Sequence, residues 1–391
     1  MTLTFSRVRR FGAIAALAAL SACGGDDVQT PGDDGEAVTA GCKDGTLSSN
    51  ALYQVCYPAA WNGDLVVYAH GYVSADESLA LPDDQVDGRS VAELVTGLGY
   101  AYATTSYRAN GLVADVGVED VSDLVATVRQ RFQPDPARVF VVGVSEGGLV
   151  AALAAERRAD VFDGAVAACG PVGDFAAQID YFGDFRVVFD YYFPGVIPGG
   201  PVDIPDEVRA NWNSVYVPAI ATALQNDIPA TLQLLSVTGA PTDPQDLLSA
   251  GATVIGALRY DVFALRDARA RLGGQPYDNI GRVYHGSLDD DALNAGVARV
   301  AADAGARAGL AAFETTGVLA VPAATIHTTG DPIVPAVQSE RYADKVAAAG
   351  AGALLETHTV SRYGHCTFTQ SEVIEAFNSV VSRAPAAARV D

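Results

Sequence analysis

The sequence predicts a doubly wound, mostly parallel α/β sheet with a large helical cap inserted into it. Three observations in the 391-residue chain support this prediction. Strand-like and helix-like segments alternate over residues 50–170, the alternation is absent from 174–315, and it resumes at 316. Repeated strand–helix–strand units are typical of a parallel sheet with helices on both faces. We therefore expect an α/β core of residues 42–173 and 316–391 and a cap of residues 174–315.

The core segments follow one another in a regular order. Short apolar or β-branched runs predict strands at 52–58, 65–69, 100–107, 138–142, 164–169, 320–327 and 354–360. Amphipathic or Ala-rich stretches predict helices at 91–98, 118–132, 148–158, 338–348 and 372–381. The first strand ends at Pro58, which favours a position at the sheet edge. Glu119 and Asp120 are expected in the first turn of the 118–132 helix.

The N-terminus has the pattern of an export signal. Three arginines precede an apolar run, residues 11–20, that is too short to span a bilayer. Leu20-Ser21-Ala22-Cys23 follows and resembles the bacterial lipobox. This resemblance implies a signal peptide at 1–23, a lipid-modified Cys23 and attachment to the cell envelope by lipid alone, with the outer membrane favoured. An ordinary signal peptide with an accidental cysteine is the alternative. Residues 24–41, rich in Gly, Asp and Thr, predict a flexible tether.

Composition limits the partners. The formal net charge of −22 disfavours binding to nucleic acid or to anionic membrane surfaces. A hydrophobic content of 49% is enough for a sizeable core. The sequence does not specify the oligomeric state.

Four cysteines follow Cys23, and an even number in an exported chain indicates disulfides. Three pairings of Cys42, Cys56, Cys169 and Cys366 are possible. A local bond between Cys42 and Cys56 is expected, which leaves Cys169 to pair with Cys366. Small buried thiols are the alternative.

The central motif is Gly143-Val144-Ser145-Glu146-Gly147, between a predicted strand and a predicted helix. This context is typical of a nucleophile elbow, in which a strained turn presents the serine. The N-terminus of the following helix would stabilise negative charge that develops beside Ser145. A glycine-rich turn with a surface serine is the alternative.

A serine nucleophile needs a base and an orienting carboxylate. His365 follows the last predicted strand, whereas His327 and His358 lie inside strand patterns that are typical of core residues. We predict His365 as the base. Asp331 follows the next-to-last strand and is the predicted acid, with Asp174 as the second candidate.

The order Ser145, Asp331, His365, with His70-Gly71 after an early strand, resembles the α/β-hydrolases. This resemblance implies an oxyanion hole made of the backbone N–H of Glu146 and one from the loop after His70-Gly71, that of Tyr72. His365-Cys366 is similar to a motif of the tannases and feruloyl esterases, in which Cys also precedes the serine; here Val144 stands there. Cys169 could then be the partner of Cys366.

Ser145-Glu146-Gly147-Gly148 and residues 329–335 resemble the prolyl-oligopeptidase-like hydrolases. Peptidases of that group usually carry a β-propeller before the catalytic domain, so the few dozen residues here favour an esterase. The expected reaction is hydrolysis of a small-molecule or polymeric carboxylic ester through an acyl-enzyme, without metal or cofactor. A peptidase or amidase with the same triad is one alternative, and a non-catalytic binding module is another.

Two further features of the sequence remain. The interpretation of the first stays open, and the second is given a structural interpretation. The most aromatic segment, residues 181–193, is equally compatible with the cap core and with a substrate-facing wall. Asp289, Asp290 and Asp291 open a helical pattern without the spacing of a calcium loop, and we interpret them as charges at a helix N-terminus.

Overall fold

The computed structural model describes residues 36–246 and 248–385, so the predicted signal peptide and Cys23 lie outside the described residues. The strands of the described part are β1 (Glu36–Ala37), β2 (Gly41–Thr46), β3 (Leu52–Tyr57), β4 (Asp64–Ala69), β5 (Gln85–Val86), β6 (Arg89–Ser90), β7 (Ala101–Thr105), β8 (Phe132–Gln133), β9 (Arg138–Val144), β10 (Gly164–Ala168), β11 (Ala323–Gly330) and β12 (Leu355–Tyr363).

Eight of these strands form the central sheet in the order β12-β11-β10-β9-β4-β7-β3-β2. The strands from β12 to β7 run parallel to one another, and β3 runs antiparallel to both of its neighbours. β4 lies between β7 and β9, so Val67 is opposite Ala103 on one side and Val141 on the other. This strand order is that of the α/β-hydrolases, and the predicted fold class is confirmed.

The helices of the described residues are α1 (Val91–Gly97), α2 (Ala114–Arg131), α3 (Glu146–Arg157), α4 (Phe175–Tyr192), α5 (Asp206–Ala210), α6 (Val217–Asn226), α7 (Ile228–Thr238), α8 (Ser249–Tyr260), α9 (Arg266–Leu272), α10 (Asp290–Gly296), α11 (Ala304–Gly309), α12 (Val337–Ala348) and α13 (Gln370–Val381). Two π-helical turns occur at Trp212–Tyr216 and Asp261–Leu265, and 3-10 turns at Leu310–Phe313 and Gly352–Leu354.

Successive residues of the central strands pack against different helix layers, because side chains alternate across a sheet. Leu65 and Val67 belong to the core shared with α2 and α3. Val66 and Phe140 belong to the core on the opposite face, where the ring of Phe377 from α13 meets that of Phe140 edge-on at 5.5 Å. Burial on both faces explains why these strands have near-continuous apolar sequences.

The strand at one edge of the sheet is not the one predicted. β2, not β3, is the outer strand, so the expected edge position of the 52–58 strand is wrong. Gly41–Thr46 contains a single apolar side chain, and therefore lacks the hydrophobic alternation that predicts strands. Cys42 lies opposite Cys56 in the register, and a disulfide joins them as expected. Residues 36–37, within the predicted tether, pair with β8.

Helix α2 begins at Ala114, four residues before its predicted start, so Glu119 and Asp120 do not lie in its first turn. Oε1 of the Glu146 carboxyl group accepts hydrogen bonds from the N–H groups of Val113 and Ala114 at 2.7 and 3.1 Å. The group that caps α2 therefore belongs to another helix, α3, and no local sequence pattern predicts this contact. The carboxylate of Asp120 instead accepts a 2.8 Å hydrogen bond from Arg108.

Between β10 and β11 the described residues form helices and no strand. The central helix here is α4, and Phe185 and Phe189 on it are fully buried. Asp180 of α4 accepts two hydrogen bonds from Arg307 at 2.7 and 2.9 Å and a third from Arg282 at 2.8 Å. These charge-assisted bonds fasten later segments onto α4. No helix among the described residues is both long and apolar enough to cross a bilayer.

Candidate active site

Ser145 lies in a strained turn between β9 and α3. Its backbone angles are φ 57° and ψ −123°, a region that residues with side chains seldom adopt. A Cβ on Gly143 would lie 1.8 Å from the carbonyl oxygen of Gly147, and one on Gly147 would lie 2.0 Å from that of Ala69. Only glycine fits at either position. The Gly-x-Ser-x-Gly motif therefore has a steric cause in this fold.

The structure brings Ser145, His365 and Asp331 together, although they are far apart in the chain. The Ser145 hydroxyl lies 2.9 Å from Nε2 of His365. Nδ1 of His365 lies 2.7 Å from Oδ2 of Asp331. With the Nδ1 proton donated to the carboxylate, Nε2 is left as the acceptor for the serine proton, which is the tautomer that a general base requires.

Asp331 directly follows β11 and is held from several sides. Its Oδ1 accepts hydrogen bonds from the N–H groups of Ile333 and Val334 at 2.9 and 3.0 Å. Burial raises the pKa of the carboxyl, but the neighbouring His365 and His327 outweigh it and lower the pKa of Asp331 to about 2. The group is therefore a carboxylate at neutral pH.

His327 is the buried histidine beside this acid. Its Nε2 lies 2.8 Å from the carbonyl oxygen of Val334, and its Nδ1 lies 2.9 Å from the hydroxyl of Ser339. Both ring nitrogens thus have partners, which agrees with the predicted core role. His358 is only partly buried, because β12 is the last strand of the sheet and one side is open.

The loop that carries His365 is tied to the end of β10. Cys366 forms a disulfide with Cys169, the residue after β10, so the second expected pairing is also present. Gly364 donates a 2.9 Å backbone hydrogen bond to Gly330 and accepts a 2.6 Å bond from the hydroxyl of Thr328. The residues on both sides of His365 are therefore fixed, Gly364 by hydrogen bonds and Cys366 by a covalent bond.

The predicted oxyanion groups border the serine. Glu146 is the first residue of α3, so its N–H has no acceptor within the helix. A Cβ on Gly71 would lie 3.2 Å from Cβ of Ser145, which shows how closely the loop after β4 approaches this serine. Tyr72 lines the cleft beside Ser145. The ring of His70 stacks on Tyr107 at 4.2 Å, and its Nδ1 lies 2.7 Å from the carbonyl oxygen of Gly71.

The second candidate acid has another role. Asp174 is the N-cap of α4 and accepts a 2.8 Å hydrogen bond from the N–H of Ala177. Asp289 likewise caps α10 by accepting a 2.9 Å bond from Ala292. The interpretation of the aspartate cluster as helix N-terminal charges is thereby confirmed.

A narrow cleft of about 50 Å³ opens beside Ser145. Its walls are almost entirely apolar: Tyr72, Leu112, Pro171, Phe175, Gln178, Ile179, Phe182, Tyr260, Ala264, Ile333 and Val334. Phe182 and Tyr260 stack face to face at 5.2 Å, with their ring planes 13° apart. Of the aromatic segment, Phe182 lines the cleft, while Phe185 and Phe189 lie in the core.

A larger cavity of about 310 Å³ lies within the helices between β10 and β11. It is lined by Asp184, Arg282 and Tyr284 and does not include Ser145. Asp184 accepts hydrogen bonds from Tyr277 and Tyr284 at 3.0 and 2.7 Å and pairs with Arg282. The charged groups of this cavity already satisfy one another.

Some site features were not foreseen from the sequence. The Glu146 side chain, which caps α2, is one. Another is the hydroxyl of Tyr72, which donates to Asp267 nearly two hundred residues later in the chain. A third is the hydroxyl of Tyr181, which donates a 2.8 Å bond to the carbonyl of Pro332 in the acid turn. Each joins segments distant in the chain, so no spacing rule could have identified them.

Comparison with known proteins gives a partial family match and distant structural neighbours. The prolyl oligopeptidase family matches residues 92–181. No curated protein is similar enough in sequence to count as a relative. The chain is similar in structure to the Pyrococcus furiosus esterase Pf2001, with 14% identity, 88% of this chain and 90% of the other covered, and a TM-score of 0.45.

Two other solved structures are similarly distant. The Pyrococcus horikoshii acylaminoacyl peptidase has 11% identity, with 88% of this chain and 42% of that chain covered, and a TM-score of 0.42. Feruloyl esterase B from Aspergillus oryzae has 14% identity, with 83% and 72% covered, and a TM-score of 0.42. These likenesses assign no substrate. The strand order, the elbow at Ser145 and the partial family match together identify the chain as a serine hydrolase of the α/β-hydrolase type.

Proposed function

We propose that the protein hydrolyses carboxylic esters through an acyl-enzyme on Ser145, with His365 as the base and Asp331 as the orienting acid. One observation carries the proposal. A continuous hydrogen-bonded chain runs from the serine hydroxyl through both nitrogens of the imidazole to the carboxylate, over distances of 2.9 and 2.7 Å. This is the arrangement that activates an otherwise weak nucleophile.

The chemistry proceeds in two halves. His365 accepts the Ser145 proton as the hydroxyl oxygen attacks the ester carbonyl, and the charge on the carbonyl oxygen is stabilised by the N–H groups of Glu146 and Tyr72. The protonated imidazole then gives its proton to the departing alcohol. In the second half water attacks the acyl carbonyl while His365 takes its proton. The bond between the acyl carbon and Oγ of Ser145 then breaks, His365 returns the proton to that oxygen, and the carboxylic acid is released. Asp331 stabilises the imidazolium in both halves.

The cleft favours a small, uncharged acyl group. A volume of about 50 Å³ lies far below the roughly 300–1,000 Å³ of most ligand pockets. Its aromatic and aliphatic walls offer a charged acyl group no counter-ion, because the one acidic side chain among them, Glu146, is buried and hydrogen-bonded to the start of α2. Short-chain acyl esters are therefore the proposed substrates.

Cleavage of peptides or amides is the second candidate, and the match of residues 92–181 to the prolyl oligopeptidase family is the observation that favours it. Turnover of p-nitrophenyl acyl esters of increasing chain length, compared with aminoacyl p-nitroanilides, separates the two. Ester turnover that is lost in Ser145→Ala supports the proposal. Turnover of anilides alone, again lost in Ser145→Ala, would replace it by the second candidate.

We further propose export as a lipoprotein acylated at Cys23. The support is the sequence of residues 1–23 and the presence of two disulfides, which form in oxidising compartments. Metabolic labelling with a fatty-acid analogue should label the wild-type protein in bacteria but not Cys23→Ala. Equal labelling of both would refute the lipid anchor without bearing on the enzymatic proposal.

A further inference from the structure

The loop at residues 70–75, which carries the proposed oxyanion donor, is fastened to the helical insertion by one side chain. Oδ2 of Asp267 accepts a hydrogen bond from the Tyr72 hydroxyl and a second, of 3.2 Å, from the backbone N–H of Ala75. Asp267 is 9% exposed, so these bonds are largely shielded from water. A single carboxylate oxygen thus holds both ends of a four-residue stretch that borders Ser145.

Asp267 belongs to the helical segment that borders the cleft. α8, the π-helical turn Asp261–Leu265 and α9 follow one another without a break. Tyr260 and Ala264 of this segment both line the cleft beside Ser145. The ring of Tyr260 also lies 5.8 Å from that of Tyr72, whose hydroxyl donates to Asp267. The same segment therefore forms one wall of the cleft and holds the loop.

This helical segment is itself attached to α4 by a buried side-chain contact. Asp261 and Arg186 of α4 are both fully buried, and their side chains form an ion pair at 3.4 Å. Arg186 also donates hydrogen bonds to Asp190 at 2.8 and 2.9 Å. Removing either partner of such a buried pair is costly. The segment that carries Asp267 is thus attached to α4 through Asp261, six residues before Asp267.

The Tyr72 hydroxyl has a single proton, and that proton is donated to Asp267. The phenol is therefore not free to stabilise an oxyanion, which leaves the backbone N–H of Tyr72 as the donor of this residue. The direction of that N–H depends on how the residue is held. That N–H belongs to the peptide group between Gly71 and Tyr72, whose carbonyl oxygen lies 2.7 Å from Nδ1 of His70. The bond from the phenol to Asp267 holds the side chain of Tyr72, and with it the Cα at the other end of this peptide group, while the bond from Ala75 holds the chain that follows.

We propose that Asp267 is a positioning residue for the oxyanion hole, holding the Tyr72–Ala75 loop so that the backbone N–H of Tyr72 faces the developing oxyanion. This proposal rests on the proposed function. Preorganised donors act only when they are aimed at the transition state, and misplacement by a fraction of an ångström weakens them. The cap would therefore complete the catalytic machinery and not merely cover it.

The test compares Asp267→Ala, Tyr72→Phe and the double variant in steady-state ester hydrolysis, with thermal unfolding as a check on folding. A single oxyanion donor is worth roughly 10²- to 10³-fold in kcat, so we expect each single variant to lose at least about tenfold in kcat with KM changed less than about twofold. The double variant should lose no more than Asp267→Ala, because both remove the same contact.

Arg271→Gln is the matched control. Arg271 lies one turn beyond Asp267 on the same helix and also joins it to the core, through a 2.7 Å ion pair with Asp115 at the start of α2. It contacts no residue of the 70–75 loop among the described residues, so kcat should stay at the wild-type value. If Asp267→Ala does not fold, Tyr72→Phe, which keeps the ring, tests the same hydrogen bond.

Wild-type kcat in Asp267→Ala or Tyr72→Phe, or an equal fall in the Arg271→Gln control, would overturn the proposal, since the contact would then only attach the cap. Failure of the proposed function is distinguishable, because the wild-type protein would then show no ester turnover that depends on Ser145.

Discussion

Cys366 is disulfide-bonded to Cys169, 197 residues earlier in the chain, and its sulfur lies 3.4 Å from Nε2 of His365. The bond joins the loop that carries the imidazole to the residue that follows β10, one strand away from the end of β9 where Ser145 stands. His365 and Ser145 are thereby connected through neighbouring strand ends as well as through their own hydrogen bond.

We expect the double variant Cys169→Ser/Cys366→Ser to lose both stability and rate. Loss of a disulfide that closes so long a loop typically costs roughly 2–5 kcal/mol in the free energy of unfolding. A freer His365 loop should also lower kcat by about tenfold, because the imidazole spends less time in register with Ser145. Denaturant unfolding and ester kinetics, below the unfolding transition, measure the two effects.

Cys42→Ser/Cys56→Ser provides the control, since it removes the other disulfide at the far edge of the sheet. It should lower stability while leaving kcat unchanged. A wild-type kcat in the folded Cys169→Ser/Cys366→Ser protein would show that the bond does not position the base.

The Glu146 carboxyl should make stability depend on pH. Burial raises its pKa to about 8 from 4.5, although the N–H groups of Val113 and Ala114 act in the opposite direction. The folded protein then binds a proton that the unfolded chain has released, so folding becomes less favourable as the pH rises from about 4.5 to about 8. Glu146→Gln removes this titration, and the wild type should lose stability relative to the variant across that window.

Urea unfolding on both sides of the window measures this difference. Glu340→Gln, an exposed site on α12, should parallel the wild type throughout. Parallel curves for wild type and Glu146→Gln would contradict the prediction and mean that the two hydrogen bonds keep the carboxyl ionised.

The stacked pair Phe182 and Tyr260 should set the acyl-chain limit. Phe182→Ala removes one wall of the cleft, so the ratio of kcat/KM for hexanoyl over acetyl p-nitrophenyl esters should rise by roughly tenfold or more. Tyr191→Ala removes an aromatic ring from the same helix, α4, outside the cleft, and should leave the ratio unchanged. An unchanged ratio in Phe182→Ala would place the acyl group elsewhere.

Much of the sheet and the three side chains of the candidate triad could be predicted, because their sequence patterns are local. β9 and α3 flank a glycine motif whose steric cause lies within a few residues, and Asp331 and His365 each follow a strand. β2 could not be predicted, since it is stabilised by pairing and a disulfide and not by an apolar pattern.

The start of α2 and the attachment of the 70–75 loop could not be predicted from the sequence either. The first depends on the carboxyl group of Glu146 and the second on Asp267, and both contacts join segments that come together only in the folded chain. The arrangement of the cap helices could not be predicted for the same reason, because it depends on contacts between distant residues such as the buried pair Arg186 and Asp261.

The central claim is that the Ser145 hydroxyl is activated by His365. Its most direct test is the rate at which a fluorophosphonate probe labels the wild type, Ser145→Ala and His365→Ala, with the labelled residue located by peptide mass spectrometry. We predict labelling of the wild type at Ser145, none in Ser145→Ala, and a rate lower by roughly 10³-fold or more in folded His365→Ala. Labelling of His365→Ala at the wild-type rate would contradict the account.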